Sequence, residues 1–128
     1  MSQEASIAPL IMDIFALLAT CDELGRAQRK VDSFRTADGR THQVEAVFTD
    51  AVGREVGVQK TEKGFMLIPD CAGLSAEEQK TQTQSIQQVV QKYAYKKVVE
   101  QLKRDGYTIA EEARKGEDIR LVARKWQG

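Results

Sequence analysis

Hydrophobic spacing along the chain predicts an α+β fold, with an antiparallel or mixed sheet and two helices on one face. Three observations lead there. Two segments carry apolar residues at helical spacing, short β-type runs divided by glycine turns lie between and after them, and the helices are too few and too scattered for repeating βαβ units. The expected order is β-α-β-β-β-β-α-β-β. At 128 residues the chain falls in the usual range of one domain, so 1–128 is read as a single domain whose core needs no metal or disulfide staple.

The first strand of that order is the extended segment 6–10. Asp13 then caps a helix beginning at Ile14, which places Ile14, Leu17, Leu18 and Cys21 on one face before Gly25 closes it. Four β-type runs follow at 30–35, 41–49, 55–61 and 65–68. Ala37-Asp38-Gly39 and Glu62-Lys63-Gly64 interrupt them, with glycine supplying the positive φ of a tight turn, so two hairpins are expected. Residues 69–75 read as a loop, after which Ser75-Ala76-Glu77-Glu78 matches a capping box. The second helix carries Ile86, Val89, Val90, Tyr93 and Ala94 on one stripe, continued by Val98 and Leu102, and ends at Gly106. Its segment 79–84 has no apolar anchor, so a frayed or looped start is expected. Strands at 107–113 and 119–126, around Arg114-Lys115-Gly116-Glu117, form a final hairpin.

Composition bounds the function. Nineteen Lys and Arg balance nineteen Asp and Glu, which leaves no net field to gather phosphates or anionic lipid. Cys21 and Cys71 lie far apart without C-x-x-C spacing and read as reduced thiols of a cytosolic-type compartment. The apolar run 7–21 imitates a leader, yet Glu4 and no Lys or Arg precede it, and Asp13 interrupts it. It is also shorter than the ~20 apolar residues of a membrane span. The expected location is the cytoplasm, or the stroma if the chain is made inside a plastid.

Several segments carry a resemblance. Arg54-Glu55-Val56-Gly57-Val58-Gln59-Lys60, then Gln91-Lys92-Tyr93-Ala94-Tyr95-Lys96-Lys97-Val98, Asp105-Gly106-Tyr107 and Ile119-Arg120-Leu121-Val122-Ala123-Arg124-Lys125-Trp126, are similar to the hypothetical chloroplast reading frame thirty-five family. These are small proteins of plastids, cyanobacteria and other bacteria. The resemblance spans about the last three-quarters of the chain, supports the fold reading, and implies no activity or catalytic residue.

The residues themselves argue against common chemistries. His42 is the only histidine, so a zinc site would have to draw on Cys21, Cys71 and carboxylates that lack ligand spacing. On a strand His42 points away from the faces of Thr41 and Gln43, and it reads as a hairpin-edge histidine rather than a general base. Cys71 falls in a loop that can expose it, but the adjacent Asp70 works against its thiolate. Cys21 belongs to the core stripe of the first helix. The glycines form neither G-x-G-x-x-G nor a phosphate-binding loop. Glu77-Glu78 and Glu111-Glu112 diverge as neighbours on a helix or strand, so capping and solvation are their expected roles. No catalytic, cofactor or metal residues are assigned, and no cofactor is expected.

Basic residues gather at Lys92, Lys96, Lys97, Lys103 and Arg104, and again at Arg114, Lys115, Arg120, Arg124 and Lys125, with Tyr95, Tyr107 and Trp126 among them. Interleaved Glu100, Glu111, Glu112, Glu117 and Asp118 favour a solvated face over a nucleic-acid surface. The expected function is a non-catalytic interaction protein or accessory subunit whose partner is another protein. The expected contact residues are Tyr95, Lys97, Arg124 and Trp126, because aromatics and Arg anchor interfaces. The alternatives are a small enzyme with a site across a homodimer, and a nucleic-acid-binding module. A homo-oligomer is compatible with the sequence; a membrane partner is not expected.

Overall fold

A computed structural model describes the backbone of residues 11–115 and 118–125 and the side chains of residues 11–107. The chain forms two compact units, Met1–Val90 and Gln91–Gly128. In order, the elements are α1 (Ile14–Glu23), β1 (Gln28–Arg29), β2 (Ser33–Arg35), β3 (Thr41–Gln43), β4 (Ala46–Thr49), β5 (Glu55–Thr61), β6 (Gly64–Pro69), α2 (Ala76–Arg104), β7 (Tyr107–Lys115) and β8 (Asp118–Lys125). The fold is α+β, and among the described residues every strand pairing is antiparallel.

In the first unit, β1, β4, β5 and β6 form a sheet in the order β1-β4-β5-β6, while β2 and β3 form a separate ribbon. The expected four middle runs thus become five strands, and β1 precedes the first of those runs. Run 41–49 is cut at Val44-Glu45, where Val44 N–H donates to Asp32 O and Glu45 N–H donates to Val58 O, so the chain leaves one pairing and enters another. The segment 6–10, expected as the first strand, lies outside the described residues; Ile11, just after it, forms a bridge to Phe65 on β6. The two expected turns hold: Gly39 (φ 89°) turns β2 into β3 and Gly64 (φ 143°) turns β5 into β6.

Register explains why β4 and β5 are buried on both faces. Val47 pairs with Gly57, whereas Ala46 pairs with Val58 and Phe48 with Val56. Alternation puts Val47 and Gly57 on one face and Ala46, Phe48, Val56 and Val58 on the other. The Gly57 face receives the ribbon. A Cβ built on Gly57 would lie 2.7 Å from Phe34 Cδ2 and 3.0 Å from Val44 Cγ1, so the missing side chain is the space the Phe34 ring uses. Phe34, Val44 and Val47 form a core cluster with Val31 and Ile68 packed against it. The opposite-face residues are also fully buried, as are Leu17 and Cys21 of α1 and Val89 of α2.

Both helix N-caps form as the sequence predicts. Asp13 Oδ1 accepts from Ala16 N–H at 3.1 Å. Ser75 Oγ accepts from Glu78 N–H at 3.1 Å and Glu78 Oε1 accepts from Ser75 N–H at 3.1 Å, a complete capping box. That reciprocal bond holds the Glu78 carboxyl below its ordinary range. The expected frayed start of α2 is corrected by the structure: the helix is continuous from Ala76, because segment 79–84 is anchored by a polar residue, Gln82, rather than an apolar one. In the second unit the latter part of α2 is followed by the β7–β8 hairpin, whose register shifts between Ile109 and Glu111.

Candidate functional site

The tip of the β2–β3 ribbon and the loop after β6 form a cleft of about 260 Å³. One wall carries Thr36, Asp38, Arg40 and His42; the other carries Ile68, Pro69, Asp70, Cys71 and Ala72. It brings the chain's only histidine and its exposed free thiol, 29 positions apart, to one depression.

Each wall is built by local chemistry. The ribbon turn is closed by Gly39 N–H donating to Thr36 O and Thr36 N–H donating to Arg40 O, both at 3.0 Å. Inside it the Asp38 carboxylate accepts from the Thr36 hydroxyl and from Arg40 N–H. Those bonds, the Thr36 hydroxyl first, lower the Asp38 pKa, and the nearby Arg40 and His42 add to the effect. His42 pairs with Phe34 across the ribbon, their ring centroids 6.4 Å apart, so its ring rests partly on the Phe34 cluster.

Asp70 ties the walls together. Its Oδ1 accepts from Ala37 N–H at 3.0 Å and lies 3.2 Å from Arg54 Nη1, while its backbone O accepts from Gln82 Nε2 at 2.9 Å. The same Gln82 amide donates to Asp50 Oδ2 at 2.9 Å, and Asp50 Oδ1 accepts from Val52 and Arg54 N–H. Ser85 Oγ extends the network by accepting from Ala51 N–H and donating to Gln82 O. This buried network is fully bonded, which fits a structural latch that fixes the cleft rather than reactive machinery. Sequence reasoning did not find it. The signal was there as spacing: Gln82 and Ser85 lie at helical steps before Val89 and Tyr93, on the same buried face.

The cleft joins His42 and Cys71 without a hydrogen bond between them, so no thiol–imidazole dyad is formed. Among the described residues no group of three His, Cys, Asp or Glu is placed to hold a metal ion. Cys21 is fully buried, and burial pushes its thiol pKa up to about 12, as a core residue requires.

The sequence-predicted contact residues fall in the second unit. Tyr95 and Lys97 lie on α2, both partly buried, with Lys97 3.8 Å from Glu100, which also meets Arg104 at 3.3 Å. Arg124 lies on β8 opposite Thr108, with its side chain outside the description, and Trp126 lies outside the described residues.

A different surface stands out in the first unit. Phe15 in the first turn of α1 and Met12, just before its Asp13 cap, are 70% and 61% exposed. Lys30 Nζ sits 5.2 Å from the Phe15 ring centroid, and Lys30 also lines an open groove of about 630 Å³ with Arg29, Asp32 and Glu45. No described helix is long and apolar enough to cross a membrane.

No curated protein and no solved structure matches the chain. A family model matches residues 20–122, most of the chain, and on that match the chain belongs to the family described as "Protein of unknown function (DUF1257)".

Proposed function

We propose that the chain is a non-catalytic interaction protein, an accessory subunit that docks on another protein, in the plastid and cyanobacterial group its sequence resembles. The observation that carries this is Phe15, an aromatic left 70% exposed on a helix whose other face is core, with Lys30 over its ring and an open groove beyond. An exposed aromatic beside a cation is the combination that anchors interfaces. Tyr95, Lys97, Arg124 and Trp126 are the second candidate surface. The work of such a protein is done in the cytoplasm or the stroma.

Affinity purification from the native host tests the reading. Phe15→Ala should weaken partner binding by ~2 kcal/mol, about thirtyfold, with an unchanged melting curve. The double change Tyr95→Ala with Arg124→Ala should do the same if the second surface is the one used. Recovery of the protein alone at monomer mass, with turnover of a metabolite in an activity screen, would replace this reading with an enzyme. Submicromolar oligonucleotide binding that survives physiological salt would replace it with a nucleic-acid module.

A further inference from the structure

We propose that β8 is a self-pairing edge: two copies of this chain join β8 to β8 about a twofold axis, and their hairpins form one four-stranded antiparallel sheet. An unpaired edge coincides here with a register in which opposite charges stand across from each other. The pairing is independent of the Phe15 surface, and it gives a use to Arg124, an expected contact residue.

Among the described residues β7 and β8 pair with each other and with no other strand, so a hairpin of nine and eight residues is a sheet by itself. Two strands alone are marginal in water, and an unpaired edge of this length is a template for a further strand. The two edges differ. β7 carries an extra residue at the register shift between Ile109 and Glu111, which bends and twists it, whereas β8 runs without one. β8 is the regular edge.

Its sequence is self-complementary. Alternation puts Ile119, Leu121 and Ala123 on one face of β8 and Asp118, Arg120, Val122 and Arg124 on the other. A twofold antiparallel pair centres on one residue, because the alternate set whose N–H and C=O groups lie along the free edge must meet the same set on the second copy. Centred on Arg120, the pairing sets that residue opposite itself; centred on Val122, it sets Arg120 opposite Arg124 twice. Centres further out shorten the overlap. Centring on Leu121 sets Asp118 opposite Arg124 at each end, Ile119 opposite Ala123, Arg120 opposite Val122 and Leu121 opposite Leu121. Opposite charges directly across favour a register and like charges disfavour it. The apolar residues of the two copies then share one continuous face. The bulged β7 strands become the outer edges of the sheet, where a bulge discourages further addition.

Sedimentation of the full chain over a concentration series, with charge-reversed variants, tests the pairing. The parent should be a reversible dimer, and Phe15→Ala should leave it unchanged. Asp118→Arg places two Arg opposite each other at both ends and Arg124→Asp places two Asp there, so each should weaken dimerisation about tenfold, the scale of two symmetry-related cross-strand pairs. An equimolar mixture of the two variants should regain the parental affinity, because every Arg of one copy then stands opposite an Asp of the other. That gain also shows that both variants fold. The double variant, Asp118→Arg with Arg124→Asp, should dimerise like the parent. A monomer at every concentration would overturn the proposal, and loss of a host protein from Arg124→Asp would then assign the edge to a foreign strand. A dimer that both single reversals leave unchanged, or a mixture that binds no tighter than its components, would overturn it as well.

Discussion

The side-chain amide of Gln82 on α2 donates to the buried Asp50 carboxylate at 2.9 Å, where Asp50 also accepts from Val52 and Arg54 N–H. One polar pair therefore joins the helix to the β4–β5 turn. Breaking it from the helix side leaves Asp50 Oδ2 buried and unmatched.

Gln82→Ala should lower unfolding free energy by about 2 kcal/mol, and Asp50→Ala by ~3 kcal/mol because two turn N–H groups lose their acceptor as well. Urea denaturation checks both. On the reading of residues 1–128 as a single domain, one transition is expected for the whole chain. Two separated transitions would divide the domain.

Gly57→Ala tests the packing of the ribbon on the sheet. The new methyl would lie 2.7 Å from Phe34 Cδ2, too close without displacement of the ring, so a loss of about 1–3 kcal/mol is expected. Trimming the ring relieves it. In a double-mutant cycle, Gly57→Ala should cost less in a Phe34→Leu background than alone, and strict additivity would mean the ring is not what the methyl meets.

Alkaline titration reports on Cys21. Its thiol holds its proton in the fold up to about 12, while the unfolded chain loses it in the ordinary thiol range. Between those limits the folded state binds more protons, so stability falls as pH rises through that window. The fall should be shallower in Cys21→Ala, measured against the parent by denaturation at several pH values. Under native conditions near neutral pH, iodoacetamide should label Cys71 and spare Cys21 until the chain unfolds.

Local signals carried much of this fold. Asp13 and the Ser75–Glu78 box set the helix starts, and Gly39 and Gly64 mark hairpin turns, because each acts within a few residues of itself. The stripe Leu17, Leu18, Cys21 was legible for the same reason: periodicity is local and burial follows it. The division of run 41–49 between a ribbon and a sheet was not, because its alternation serves either pairing and only the partners, Asp32 and Val58, decide where the chain crosses over.

The candidate site divides the same way. Sequence alone established the inventory: one histidine, two cysteines in no metal spacing, balanced charge, and no phosphate-binding glycines. It could not place His42 and Cys71 on one cleft, because that depends on a turn and a loop meeting in space through Asp70, Ala37 and Arg54. Nor could it read Gln82 as an anchor. A polar letter on a helix normally means solvent, and only the buried Asp50 across from it turns the same letter into core.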